Sequence, residues 1–224
     1  MKKHIPNFLT SLNLVTGAIG CFYLIEQDHH RAIYFVILAA FFDFLDGFIA
    51  RLLKVQSGIG KELDSLADVV SFGLLPAVYM VMSIRQQTDH QFLPYFGLLI
   101  AALSAIRLAK FNLDTRQTDQ FIGLPTPANA IMITSLSFLP GSFSLGVPAL
   151  LIITLITSLI LVANLPLIAL KFIGFSWVSN QWKYLLIIAI VILVSIFREK
   201  ALPLIIPVYL LISVLNIVLR TGKR

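Results

Sequence analysis

Asp43-Phe44-Leu45-Asp46-Gly47-Phe48-Ile49-Ala50-Arg51 and, after eight intervening residues, Gly60-Lys61-Glu62-Leu63-Asp64-Ser65-Leu66-Ala67-Asp68 set four aspartates into an otherwise apolar part of the chain. On a helix, positions 43, 46, 47 and 50 stand at i, i+3, i+4 and i+7, so two carboxylates, a glycine and an alanine share one face. Gly60, Asp64 and Asp68 stand at i, i+4 and i+8, so a second helix can turn two more carboxylates and a glycine toward the first set. The spacing predicts two helices whose acids converge.

Those acids are costly where they lie. Asp43 follows directly on the apolar run from Ala32 to Phe42, and Asp68 precedes another. An aspartate at mid-membrane costs about 2.5–3.5 kcal/mol, so four unpaired ones cost on the order of 10 kcal/mol. Arg51, Lys54 and Lys61 are the nearby cations, but each stands near a helix end from which its head can reach the interface. Bound divalent metal is the better compensation: hard carboxylate oxygens suit Mg2+ or Mn2+, and a pair of ions needs about this many acids.

Composition sets the class. Of 224 residues, 58% are hydrophobic and 12% charged, with a mean hydropathy of +0.91, whereas soluble domains carry about 25% charged residues. The chain reads as all-α: a polytopic membrane helix bundle, one integral membrane domain over 1–224, with no room for a separate soluble domain. About eight transmembrane helices are expected, at roughly Phe8 to Ile25, 32–52, 63–83, 93–111, 127–140, 149–171, 184–197 and 202–219. The first six make a catalytic core over about 1–171, and the C-terminal helices follow over about 184–219. Pro76, Pro166 and Pro207 fall inside spans and are expected to kink helices rather than end them, since neighbouring helices can satisfy the freed backbone groups. Cys21 stands alone, which leaves neither a disulfide framework nor a cysteine metal site. The adjacent His29 and His30 read as a solvated pair in an interfacial loop. The basic-then-apolar opening superficially resembles a signal peptide, but Asn7, Thr10, Ser11, Asn13 and Thr16 interrupt the apolar core such a peptide needs, so the first span is expected to be retained.

Eight spans put both termini on one side. With the termini cytoplasmic, internal segments hold Lys2, Lys3, Arg51, Lys54, Lys61, Arg107, Lys110, Arg116, Lys171, Lys183, Arg220, Lys223 and Arg224, and external ones hold Arg31, Arg85, Arg198 and Lys200. That excess agrees with the positive-inside rule. It puts the acidic cluster at the cytoplasmic side of the cell membrane, where water-soluble substrates meet lipid.

Three further stretches bear on chemistry. Asn7, Thr10 and Asn13 form a polar stripe that either faces a bound headgroup or hydrogen-bonds a neighbouring helix. Gly58-Ile59-Gly60-Lys61 is no phosphate loop, because no strand precedes it, the glycine spacing is wrong and Glu62 stands where Ser or Thr is required. The cations of Arg107-Leu108-Ala109-Lys110-Phe111-Asn112 either anchor a helix end or form an anion-binding wall facing the acids.

The fixed positions Asp43, Asp46, Gly47, Ala50, Arg51, Gly60, Asp64 and Asp68 together resemble the signature of the CDP-alcohol phosphotransferase family. Ile5 to Asn13, Leu63 to Gly73, Arg107 to Asn112 and Gly123 to Pro127 are most similar, within it, to the CDP-diacylglycerol–serine O-phosphatidyltransferases. The likeness covers about the first 130 residues. The resemblance implies a metal-dependent enzyme that moves the phosphatidyl group of CDP-diacylglycerol to the hydroxyl of L-serine, giving phosphatidylserine and CMP. It implies two divalent cations, Mg2+ or Mn2+, on Asp43, Asp46, Asp64 and Asp68, with Asp68 as general base. It further implies nucleotide and diphosphate contacts from Asn7, Thr10, Asn13, Gly47, Ala50, Arg51, Gly60 and Ser71, serine contacts from Arg107, Lys110 and Asn112, and a homodimer.

Two other functions are weighed against this one. The same chemistry on another acceptor, glycerol 3-phosphate or inositol phosphate, would demand a denser basic pocket. A cation-coupled transporter would often carry an inverted repeat, yet after Asp119 the one acid is Glu199. That asymmetry favours a single catalytic site in the first half.

Overall fold

The structure, a computed structural model, describes residues 4–55, 57–113, 121–139, 145–168 and 177–221. Lys2, Lys3, Arg116, Lys171, Lys223, Arg224 and the side chain of Arg220, weighed above for topology, lie outside the described residues. Nine α-helices follow in order among these: α1 His4–Ile25, α2 His29–Leu52, α3 Gly58–Asp68, α4 Leu75–Arg85, α5 Leu99–Leu113, α6 Thr126–Ser135, α7 Val147–Val162, α8 Trp177–Phe197 and α9 Leu202–Thr221. A two-residue antiparallel pair, β1 Phe121–Ile122 with β2 Pro166–Leu167, is the only sheet among the described residues.

The membrane reading holds, but the expected count of eight crossings does not follow from helix length. Five described segments are long and apolar enough to cross: His4–Ile25, His29–Leu52, Gly58–Arg85, Leu93–Leu113 and Asn180–Leu219. α7 has 16 residues and α6 has 10, whereas a hydrocarbon core about 30 Å thick takes about 20 helical residues. Within the last segment, Arg198 has φ 53. A positive φ interrupts a right-handed helix, and Leu186 of α8 and Ile212 of α9 share one apolar cluster.

Pro166 departs from expectation. α7 ends at Val162, and Pro166 pairs with Ile122 in the short sheet. The residue before a proline avoids the helical region, and Gly123, at φ 75, donates its N–H to Leu165 O at 2.9 Å. The chain thus leaves the helix for a local pairing. Pro207 lies inside α9 as expected. Pro76 follows a π-helical turn, Val69–Leu74, that joins α3 to α4 in one continuous rod. Leu75 N–H reaches back five residues to Val70 O, the wider hydrogen bond that lets a proline enter without breaking the rod.

Local signals set the turns around the site. Gln27, φ 67, closes α1: Asp28 N–H bonds Tyr23 O at 2.9 Å, and the Asp28 carboxylate then accepts from Arg31 N–H at 3.1 Å to start α2. Lys54, φ 52, closes α2 the same way, with Val55 N–H on Ala50 O at 3.0 Å. Ser57 caps α3, its hydroxyl accepting from Gly60 N–H at 3.0 Å. These short reversals return α3 to the level of the last turns of α2.

The core sits around the π-helical turn. Phe72, Leu75, Ala77 and Met80 are wholly buried against Leu24 of α1, Val36 and Ala39 of α2, Ile100 of α5 and Ala130 and Ile133 of α6. Small residues let the backbones approach, as membrane packing requires. A Cβ on Gly17 would stand 2.6 Å from Ser71 Cα, and one on Gly97 2.8 Å from Val81 N. Gly17→Ala is therefore expected to lower stability by about 1–3 kcal/mol through overpacking against backbone. Thermal unfolding in detergent reads it, and an unchanged midpoint would refute the close contact of α1 with the turn.

Candidate active site

Two helices and one turn of a third bring the acids together. The carboxylates of Asp43 on α2 and of Asp64 and Asp68 on α3 each offer an oxygen, all within 4.8 Å of one another. Asp46 stands outside that trio and accepts the Thr10 hydroxyl of α1. Asn13, one turn further along α1, donates its amide N–H to Asp68 Oδ1 at 3.3 Å. The polar stripe of α1 thus meets the acids. Of the two readings open from sequence, hydrogen bonding to a neighbouring helix describes Thr10 and Asn13.

Beside the trio lies a cavity of about 770 Å3, lined on one wall by Asn7 and Thr10, on another by Asp46, Gly47, Ala50 and Arg51, and on a third by Ser57, Gly60, Lys61 and Asp64. A Cβ on Gly47 would meet nothing within 4 Å, so the space over α2 is open. At Gly60 a Cβ would come 2.9 Å from Ser57 Oγ and 3.1 Å from Asn7 Oδ1, so the Asn7 amide rests directly on the backbone of α3. Six of the residues expected to touch the nucleotide and diphosphate, Asn7, Thr10, Gly47, Ala50, Arg51 and Gly60, therefore share one cavity.

Asn13 and Ser71 are placed otherwise. Both are wholly buried, and the Ser71 hydroxyl donates to Asn13 O at 2.9 Å, so this pair fastens α1 to the π-helical turn. Of the serine candidates, Arg107 lies half-buried on α5. Its Nε is buried without a hydrogen-bond partner. Lys110 is exposed. Asn112 is engaged: its amide donates to Ser65 Oγ at 2.7 Å and its carbonyl accepts from Lys61 Nζ at 3.1 Å. Lys61 and Ser57 on the cavity wall were not expected there, although the serine-before-helix pattern of Ser57 was a readable cap signal.

The donor set fits a divalent cation. All three ligating groups are carboxylates, and Asp64 Oδ1 is buried with no hydrogen-bond partner, an arrangement that costs free energy unless a cation or water completes it. Asp43, Asp64 and Asp68 are the residues that would hold such an ion, with Asp46 one helical turn away. Their chemistry favours a hard ion held by oxygen.

Residues 3–165 match a family described as CDP-alcohol phosphatidyltransferase. Among curated relatives, the chain is 36% identical over 140 residues to the CDP-diacylglycerol–serine O-phosphatidyltransferase of Bacillus subtilis, covering 61% of this chain and 76% of that protein. It is 35% identical over 134 residues to the enzyme of the same name from Helicobacter pylori, covering 57% and 54%. It is 34% identical over 143 residues to the archaetidylserine synthase of Methanothermobacter thermautotrophicus, covering 62% and 60%. The match thus spans from about half to three quarters of these relatives' lengths.

Proposed function

Because the chain belongs to the CDP-alcohol phosphatidyltransferase family, we propose that it transfers the phosphatidyl group of CDP-diacylglycerol to the hydroxyl of L-serine, forming phosphatidylserine and releasing CMP. The observation that carries this is the meeting of Asp43, Asp64 and Asp68 beside a cavity floored by Gly47 and Ala50. The cited relatives act in serine headgroup chemistry by their names, whether the lipid is diacylglycerol or archaeal.

In this reading the cytidine diphosphate lies in the cavity over Gly47, with Arg51 against its phosphate oxygens. The serine hydroxyl enters beside Asp68, which accepts its proton as general base. The oxygen so freed bonds to the phosphorus bearing diacylglycerol, the bond from that phosphorus to the CMP oxygen breaks, and CMP leaves. Asn13 orients the Asp68 carboxylate and Thr10 that of Asp46. When bound, two Mg2+ or Mn2+ ions would offset charge on the diphosphate and on the departing oxygen. Arg107 and Lys110 take the serine carboxylate. The site faces the cytoplasm, where both termini lie, and the whole chain forms one domain that pairs as a homodimer.

Purified protein given CDP-diacylglycerol, L-serine and Mg2+ or Mn2+ is expected to release CMP in proportion to serine. Release with glycerol 3-phosphate and none with serine would reject the acceptor. Gly47→Leu, which enters open space, is expected to leave the unfolding midpoint unchanged. It should also raise KM for CDP-diacylglycerol about tenfold or more, by filling room the nucleotide needs. An unchanged KM would move the nucleotide elsewhere.

A further inference from the structure

Lys61 and Asn112 close a small circuit at the cavity. The Lys61 ammonium donates to Asn112 O at 3.1 Å, the Asn112 side-chain amide donates to Ser65 Oγ at 2.7 Å, and the Ser65 hydroxyl donates to Lys61 O at 3.3 Å. The bonds thus return to the residue they left, joining the first two turns of α3 to the last turn of α5. Phe111, the neighbour of Asn112, lines the cavity together with Lys61.

The circuit matters because a lysine is otherwise a loose group. Lys61 is exposed, and a free side chain of this length loses much rotamer freedom when it binds a ligand. Held on Asn112 O, it has lost part of that freedom already. An ammonium carries three N–H donors, so two remain for another acceptor. The acids nearby do not take them. Lys61 stands three residues before Asp64, a neighbouring position on the helix surface, and Arg51 lines the same cavity as Asp46, yet neither cation forms an ion pair within the described residues. Two unpaired cations lining one cavity suit an anionic ligand.

We propose that Lys61 is a second cation for the diphosphate of the donor lipid, held ready by Ser65 and Asn112, which act as positioning residues. The proposal rests on the transferase reading above, in which Arg51 is the one side-chain cation on the diphosphate. Arg51 lies in the last turn of α2 and Lys61 in the first turns of α3, so a diphosphate held by both is gripped from the two helices that carry the acidic trio. Asn112 then has a role other than contact with serine, since its amide N–H and its carbonyl are both engaged in the circuit. A serine carboxylate would offer Lys61 the same kind of acceptor as a phosphate oxygen, and the two ligands are told apart by experiment.

Purified protein in detergent with Mg2+ or Mn2+ is titrated with CDP in the absence of serine, and KM for serine is measured separately at saturating CDP-diacylglycerol. Lys61→Met, which keeps the apolar stem and removes the charge, is expected to weaken CDP binding about tenfold and to leave KM for serine unchanged. Asn112→Ala, which keeps the backbone carbonyl but unties it from Ser65, is expected to weaken CDP about threefold through lost preorganisation. The double variant is expected to bind CDP no more weakly than Lys61→Met alone, since Asn112 then has no ammonium to position. Lys61→Gln takes the place of Lys61→Met if the latter fails to fold. CDP affinity unaltered by loss of the lysine charge would overturn the proposal, and a raised KM for serine beside that unaltered affinity would give Lys61 to the acceptor instead. Losses that multiply in the double variant would remove Asn112 from the positioning role. A wild type that binds no CDP would overturn the transferase reading and the second cation with it.

Discussion

Asp68→Asn is expected to cut serine-dependent CMP release by about 10²–10⁴-fold, the contribution of a positioned general base. The exchange is nearly isosteric, so its effect is chemical. Asn13 donates to Asp68 Oδ1, and an amide oxygen at the same place can still accept that bond. Asp68 is 9% exposed and packs at the end of α3, where the rod enters its π-helical turn, so the variant keeps the volume the helix contact needs. CDP-diacylglycerol lies against Gly47, Ala50 and Arg51 in the proposed complex, and these residues are untouched. Nucleotide binding, followed by CMP protection against thermal unfolding, should therefore persist. Turnover within about tenfold of wild type would remove Asp68 from the proton transfer.

Asp43→Asn and Asp64→Asn are expected to abolish turnover by a different route, and stability separates the two. The carboxylate oxygens of Asp43, Asp64 and Asp68 converge within 4.8 Å, and like charges so close repel unless a cation lies among them. Wild-type protein should gain midpoint temperature on addition of Mg2+ or Mn2+; an ion at a hundredfold excess over its Kd contributes about 2.7 kcal/mol. Each variant should lose most of that gain while unfolding at or above the wild-type temperature in chelator, because one of the crowded charges has gone. The sign is diagnostic. A merely structural carboxylate would make the variant less stable in chelator, and a full metal-dependent shift in both variants would take the ion away from this trio.

The acidic stretch was readable because helical periodicity is a local property. Asp43 and Asp46, then Asp64 and Asp68, each fall on one face of their own helix whatever surrounds them. The polar stripe of α1 was readable as a pattern but not as a role. Only packing shows that Thr10 and Asn13 bond Asp46 and Asp68, and that Asn7 and Thr10 line the cavity while Asn13 does not. Asn112 carried a motif and turned out to bind Ser65. Pro166 looked like a kink in a span, but an isolated apolar run does not reveal that residues 121 and 122 will pair with its end.

The order of residues alone determined the membrane class, the family signature and the two acid-bearing helix faces, since hydropathy and a 3.6-residue period need no partner to be read. The folded chain decided which side chains meet: Asp43, Asp64 and Asp68 within 4.8 Å of one another, Asp46 on the Thr10 hydroxyl, and Ser71 against Gly17. The reason lies in distance along the chain. Asn13, Asp43 and Asp68 come from three separate helices, and their proximity is set by small-residue contacts and helix register, neither of which any one stretch of sequence contains.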